Sequence, residues 1–245
     1  MARGVTCRFI GRLGNNMFQA AAVVGYSKTH CVPWEVPAVN KESPRFKEFF
    51  PLLQYGNRTL QVFNCHEPKM FSYQRLPFWP QGICLTGFFQ TLKYFEHCQD
   101  EIKRLFKLNT VTGYEDYVSI HVRRGDYVRY STHFPPVTMT YLNNAMAHFP
   151  GRKFLVFSDD LGWCQQHLKN AEFPNGDELA DLSLMASCGG HIIANSTFSW
   201  WGAYLGVNPD KKIVTPDHRV WFGRHNGVKL AQMKDIIPKG WIEIL

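Results

Sequence analysis

The chain has 245 residues, 45% hydrophobic and 19% charged, the proportions of an ordinary globular protein, which excludes a disordered or collagen-like chain. Its net charge of +7 favours an anionic partner such as a nucleotide, a phosphate or a nucleic acid. No dense run of Lys and Arg occurs, so a nucleotide pocket fits better than a nucleic-acid track.

In chain order, Val5 to Ile10 predicts a strand, Gly11-Arg12-Leu13-Gly14-Asn15-Asn16 a turn, and the Ala-rich stretch from Met17 to Ser27 a helix. Residues 31–82 are proline-rich and weakly periodic, which predicts short elements and loops. Ile83 to Phe88 reads as a strand, and Tyr94 to Leu108 carries apolar residues at helical spacing. Beyond Gly113 the pattern becomes regular. Strands are predicted at 117–122, 154–158, 191–195 and 212–215, and helices at 138–149 (Thr138 as N-cap), 161–169, 179–188 and 197–205. Such alternation predicts an α/β protein with parallel sheets covered by helices on both faces. The separate strand–loop–helix opening predicts two Rossmann-like lobes, residues 1–110 and 111–245.

Seven cysteines are scattered without a CxxC pair, so a structural zinc site is not expected, and reduced thiols in a reducing compartment are. Asn57-Arg58-Thr59 and Asn195-Ser196-Thr197 match the short glycosylation sequon. Met1-Ala2-Arg3-Gly4 does not open a signal peptide, and no apolar run approaches a membrane span, which predicts a soluble, cytoplasmic protein.

Four segments carry chemistry. The strand ending His121-Val122-Arg123-Arg124-Gly125-Asp126 places a guanidinium pair at the mouth of a sheet, where it forks a phosphate or lies as solvated surface charge. Arg123 shares a strand face with His121 and is the better placed to reach a ligand. Arg124 is expected to brace the loop or to pair with Asp126. In Asn195-Ser196-Thr197-Phe198 a strand gives way to a helix, whose N-terminal N–H groups and hydroxyls suit phosphate or plain capping. Asp181 lies in the first turn of a helix, where the dipole favours an acid, and a carboxylate there can also accept from guanine N1–H and N2–H₂. The Gly11–Asn16 loop is neither GxGxxG nor a P-loop, yet it brings backbone amides close to a ligand. No Asp-x-Asp element is present to hold Mg²⁺ on a diphosphate, and Asp159-Asp160 is the nearest substitute.

Together these residues resemble glycosyltransferase family 11, the α-1,2-fucosyltransferases. Gly11-Arg12-Leu13-Gly14-Asn15-Asn16-Met17-Phe18-Gln19 is similar to the family's GGLGNQMFQ, and Gly87-Phe88-Phe89-Gln90 to its GFFQ segment. His121 to Tyr127 fits HxRRxDY, Phe157-Ser158-Asp159-Asp160 fits FSDD, and Asn195 to Ala203 resembles NSSFSWWGA. Gly189-Gly190-His191 departs from the family's Cys-Lys-His, and the chain is short for the family.

The resemblance implies a GT-B-type fold of two Rossmann-like lobes with mostly parallel sheets facing a donor cleft. It implies an inverting transfer of fucose from GDP-β-L-fucose, without cofactor or metal, to a galactose 2-hydroxyl of a glycan. By the same resemblance Arg123 binds the diphosphate with His121 beside the donor, and Asp181 reads guanine. Ser196, Thr197, Phe198 and Asp159 belong to the donor site, and Gly14 and Asn15 approach the fucose from the first lobe. Asp126 is the candidate general base, with a salt bridge to Arg124 as its rival role. The competing readings are a GDP-fucose-dependent transferase of another linkage and a non-catalytic GDP-sugar-binding protein. No nucleic-acid or membrane partner is expected.

Overall fold

The computed structural model describes residues 4–56, 63–223, 233 and 235–245. The chain divides into two units, one drawn from Met1–Lys107 with Ala231–Pro238, the other from Leu108–Leu230 with Lys239–Leu245. The division is therefore not one cut near residue 110. Residues after 230 return to the first unit, where Met233 and Ile236 are buried. There the Asp235 carboxylate receives Lys93 Nζ at 2.7 Å and the Tyr73 N–H at 2.9 Å.

The first unit contains β1 (Val5–Cys7), α1 (Leu13–His30), β2 (Val36–Pro37), α2 (Phe46–Phe49), β3 (Tyr55–Gly56), β4 (Phe63–His66), β5 (Ile83–Thr86) and α3 (Gln99–Leu105). Its main sheet has the order β1-β5-β4, all parallel, with β2 and β3 forming a separate parallel pair. α1 is buried from Asn16 to Ser27, as a helix apolar on most sides must be. It begins at Leu13, four residues before the expected start. Asn16 Nδ2 folds back onto the carbonyls of Ile10 (3.2 Å) and Gly11 (3.1 Å), and the Asn15 and Asn16 N–H groups both reach Arg12 O. The loop is thereby converted into a first helical turn. The predicted helix at 94–108 is shorter, two 3₁₀ turns at Leu92–Tyr94 and Glu96–Cys98 preceding α3.

The second unit contains β6 (Tyr117–Val122), α4 (Gly125–Arg129), α5 (Met139–Met146), β7 (Lys153–Ser158), α6 (Leu161–His167), α7 (Glu178–Ser187), β8 (Gly190–Ile192), α8 (Thr197–Tyr204), β9 (Lys212–Pro216) and β10 (Ile242–Ile244). The five strands form one parallel sheet of order β10-β9-β8-β6-β7. Ile120 is in register with Val156 and Ile192, and Ile192 with Val214, giving a β-branched row across the sheet. This face packs on Leu142 and Ala145 of α5 and Cys164 of α6. The opposite face, with Leu155 and Phe157, packs on Met185 of α7 and Phe198 of α8. Helices on both faces explain why β6 is buried along nearly its whole length. Thr138 caps α5 through its hydroxyl, as expected.

The second strand of this sheet, β7, lies on one side of the first, and the third, β8, on the other. The order reverses between β6 and β8. In open parallel sheets ligands bind beyond the carboxyl ends of the strands at that reversal. All seven cysteines are free thiols, and no helix among the described residues is long and apolar enough to cross a membrane.

Candidate active site

The chain leaving β6 carries Arg123 and Arg124, and the chain leaving β8 carries Asn195, Ser196 and then α8. Both lie at the carboxyl ends of the strands flanking the reversal. His121 is 6% exposed, and its Nδ1 is 2.9 Å from the Ser199 hydroxyl on the first turn of α8. Its ring centroid is 5.6 Å from that of Phe198. Burial, aided by the Arg123 charge, lowers its pKa to about 4, so the imidazole is neutral near pH 7. It is a hydrogen-bonding post that ties β6 to α8 rather than a positive charge.

The two arginines have distinct partners. Arg123 Nη2 meets Asp126 Oδ1 at 2.6 Å and Nη1 meets Asp159 Oδ2 at 2.9 Å, while its guanidinium lies 5.6 Å from the Tyr127 ring centroid. Arg124 Nε meets Asp160 Oδ2 at 3.0 Å, its guanidinium covers the Trp163 ring at 4.0 Å, and its N–H donates to Asp159 Oδ1. The expected Asp126–Arg124 pair is thus corrected. Asp126 lies in α4, one turn from the strand end, and that short helix turns its carboxylate toward Arg123. The Arg124-Gly125-Asp126 triplet opens α4 with both of its charges engaged.

Asp159 and Asp160, considered above as a stand-in for a metal-binding pair, are held by Arg123 and Arg124. Asp160 Oδ1 also caps α6 by accepting the Trp163 N–H, so neither carboxylate stands ready for Mg²⁺. A group spaced to hold a cation does exist at Asp217, His218 and Glu243, by the ends of β9 and β10. There Arg219 engages Asp217 at 2.7 Å and His218 Nδ1 meets Glu243 Oε2 at 2.7 Å.

Ser196 is the N-cap of α8, yet its side chain makes no capping hydrogen bond. Its hydroxyl is not turned onto its own helix, the ordinary use of a capping serine. Asn195 is 3% exposed, with Nδ2 donating to Pro135 O and Trp221 O at 2.9 Å and its carbonyl accepting from Tyr127 Oη. An asparagine so enclosed is not a glycosylation acceptor in the folded protein, and the Asn57 sequon lies outside the described residues. Asp181 sits in the first turn of α7, which packs on α8 through Met185, whose side chain fills the space over Gly202. Partial burial raises its pKa to about 6, against the opposing effect of the Gly176 N–H.

The second unit therefore gathers His121, Arg123, Asp126, Asp159 and Phe198 by direct contact, with Ser196 and Thr197 beginning the helix that His121 supports and Asp181 on the helix beside it. Gly14 and Asn15 lie in the first unit, at the start of α1, where Asn15 Oδ1 accepts from Gln90 Nε2 at 2.9 Å. Sequence reasoning missed Ser199, Trp163 and Tyr127. Trp163 was legible as the third residue beyond the Asp160 cap, and Tyr127 as the residue after Asp126. The Ser199 contact joins positions 78 residues apart and leaves no local signal.

A parallel sheet whose reversal point carries arginines and a helix N-terminus has the arrangement at which α/β proteins commonly hold a nucleotide or phosphate. The structure of the α-1,6-fucosyltransferase NodZ soaked with GDP-fucose aligns with 84% of this chain and 93% of its own, with a TM-score of 0.53 at 14% identity. The fold is accordingly of the GT-B type. Residues 2–244 match the profile of Glycosyl transferase family 11, and the chain belongs to that family. Among curated relatives, an alpha-1,2-colitosyltransferase of Escherichia coli is 32% identical over 66% of this chain and 63% of its own length. A galactoside alpha-(1,2)-fucosyltransferase 2 of Pongo pygmaeus is 27% identical over 83% of this chain and 69% of its own. The chain thus spans about two thirds of the length of these relatives.

Proposed function

We propose that this protein transfers L-fucose from GDP-β-L-fucose to a glycan hydroxyl, the galactose 2-hydroxyl foremost, by one inverting displacement that needs no metal ion. The observation that carries this reading is Arg123, held between Asp126 and Asp159 beside the α8 N-terminus at the reversal of a parallel sheet. The second unit takes the donor and the first the acceptor. The acceptor oxygen attacks the anomeric carbon as the bond from that carbon to the β-phosphate oxygen breaks. The bonding pair leaves with GDP, and the hydroxyl proton passes to a base or to water. Arg123 and the N-terminal N–H groups of α8, with the Ser196 and Thr197 hydroxyls, meet the charge growing on the diphosphate. That stabilises the transition state beyond the ground state. Asp181 receives guanine N1–H and N2–H₂. Asp126 is the candidate base, and its contact with Arg123 makes its availability depend on what the guanidinium binds.

A second reading is favoured by the E. coli relative named for colitose, namely that the transferred sugar is colitose rather than fucose. Incubation with each GDP-sugar and a panel of galactosides, followed by linkage analysis, separates the two. Transfer of fucose in α-1,2 linkage, undiminished by EDTA, is the expected result. An Arg123→Ala variant should lose about 10²- to 10³-fold in kcat, the usual cost of one preorganised donor to a developing anion. Activity within a few-fold of wild type in that variant, or a strict divalent-ion requirement, would overturn the scheme.

A further inference from the structure

One side chain joins the three segments that follow the carboxyl ends of β6, β8 and β9, and the proposed displacement assigns it no part. Tyr127 lies in α4, four residues beyond Arg123. Its ring centroid is 5.6 Å from the Arg123 guanidinium. Its hydroxyl donates at 3.1 Å to the carbonyl of Asn195, the residue before the N-cap of α8. The ring stacks on that of Phe134 at 5.3 Å and 23°, and Phe134 in turn meets Phe222 edge-on at 5.9 Å.

The supports of this ring are themselves fixed. Asn195 Nδ2 donates to the carbonyls of Pro135 and Trp221, which lie beside Phe134 and Phe222 in the chain. The Gly223 N–H donates to His133 O at 2.8 Å, and a Cβ on Gly223 would collide with the Thr132 carbonyl, so glycine lets the two segments approach. Tyr127 can move only if these segments move with it. The chemistry of the guanidinium gives that rigidity a use. Its N–H donors lie in one plane. Asp126 and Asp159 engage Nη2 and Nη1, and among the described residues no acceptor meets Nε. A diphosphate needs donors from that same plane and competes for them with the two carboxylates. An aromatic face attracts a guanidinium through its π-system and takes none of those donors. The ring therefore goes on restraining Arg123 when the donors turn to phosphate, which a further carboxylate could not do.

We infer that Tyr127 is a positioning residue that acts through Arg123, its ring holding the guanidinium beside the α8 N-terminus while the donors pass from Asp126 and Asp159 to a diphosphate. The inference rests on the proposed function for that diphosphate.

A double-mutant cycle with Arg123 tests it. Tyr127→Leu removes the ring and should lower kcat for fucose transfer on the order of 10- to 10²-fold, the scale of a misplaced catalytic group. It should also weaken GDP binding, read by calorimetric titration. In an Arg123→Ala background the same change should cost no more than about twofold in either quantity, because the group through which it acts is gone. Tyr127→Phe keeps the ring and loses only the hydrogen bond to Asn195 O. It should hold kcat within a few-fold of wild type, even where its melting temperature falls. A merely structural tyrosine gives another pattern. Either the melting temperature falls in every variant while kcat of the folded protein is unmoved, or the Tyr127→Leu loss is as large without Arg123 as with it. Each of these results overturns the inference, as does a Tyr127→Phe variant as impaired as Tyr127→Leu. Independent losses in a protein that transfers fucose remove the role of Tyr127 and leave the proposed function standing. A wild-type protein that binds GDP but transfers no sugar ends the proposed function, and the GDP affinities of the cycle then decide the role of Tyr127. A wild-type protein that does not bind GDP overturns both.

Discussion

At the scale of single residues, the proposed donor role of the second unit sets recognition against stability. The Asp181 carboxylate is half-buried, and desolvation raises its pKa to about 6. Only the ionised form can accept from both guanine donors, so the KM for a GDP-sugar should rise as pH falls through about 6. Above that pH the ionised group weakens the fold, because the folded state holds its proton more tightly than the unfolded chain does. Asp181→Asn should therefore leave the protein as stable as wild type or more so at pH 7 while weakening GDP binding by at least 10-fold. Calorimetric titration with GDP, paired with thermal melts, checks both halves, and undiminished GDP affinity would remove guanine from the role of Asp181. The arginine pair shows how far single residues can be read without coordinates. The in-phase position of Arg123 with His121 is a property of strand geometry and is visible in the sequence. The exchange of partners between Asp126, Asp159 and Asp160 depends on the short helix α4 and on the neighbouring strand β7, and no local pattern encodes it.

At the scale of elements, the long alternation from β6 to β9 was legible because the strands are short, mostly apolar runs and the helices between them have apolar faces. β4 and β10 were not. Phe-Asn-Cys-His and Ile-Glu-Ile are too short to carry a period, and each acquires its conformation from an existing neighbour, β5 or β9. The start of α1 was misplaced because Asn16 acts through its side chain on carbonyls behind it, a tertiary choice between turn and helix. The element on which the candidate site depends most is α8, whose first turn is fastened to β6 by the His121–Ser199 hydrogen bond. Ser199→Ala leaves a fully buried imidazole nitrogen unpaired. It should cost on the order of 1–3 kcal/mol of stability. Thermal melts would show this as a Tm lowered by several degrees, and an unchanged Tm would mean that the helix is held by packing alone.

At the scale of the whole molecule, two enclosed imidazoles set the response to acid. His121 and His191 have pKa values lowered from 6.5 to about 4 and about 3, burial being the main cause in both. His191 Nδ1 also lies 2.8 Å from Ser119 Oγ, across from it in the sheet. Between pH 6.5 and 4 the unfolded chain binds protons that the folded one refuses. Stability from these groups is complete above about pH 6.5 and is lost as pH falls toward 4. Asp181 works in the opposite direction over part of this range, one group against two. Tm should fall steadily from pH 7 to pH 4.5, and a flat or rising Tm would contradict the buried, neutral state of both rings.

The return of the chain to the first unit after residue 230 has a consequence for the order of events during synthesis. Asp235, which receives Lys93 and the Tyr73 N–H, is made only after the residues of β6 to β9. The first unit, most of which is made before the second, is thus completed late, and in turn β10 joins the second sheet only after that segment has passed. Neither unit can be finished as an independent product of one uninterrupted stretch of translation. A nascent chain halted at residue 110 would leave Lys93 and the Tyr73 N–H without the carboxylate that holds them in the complete protein.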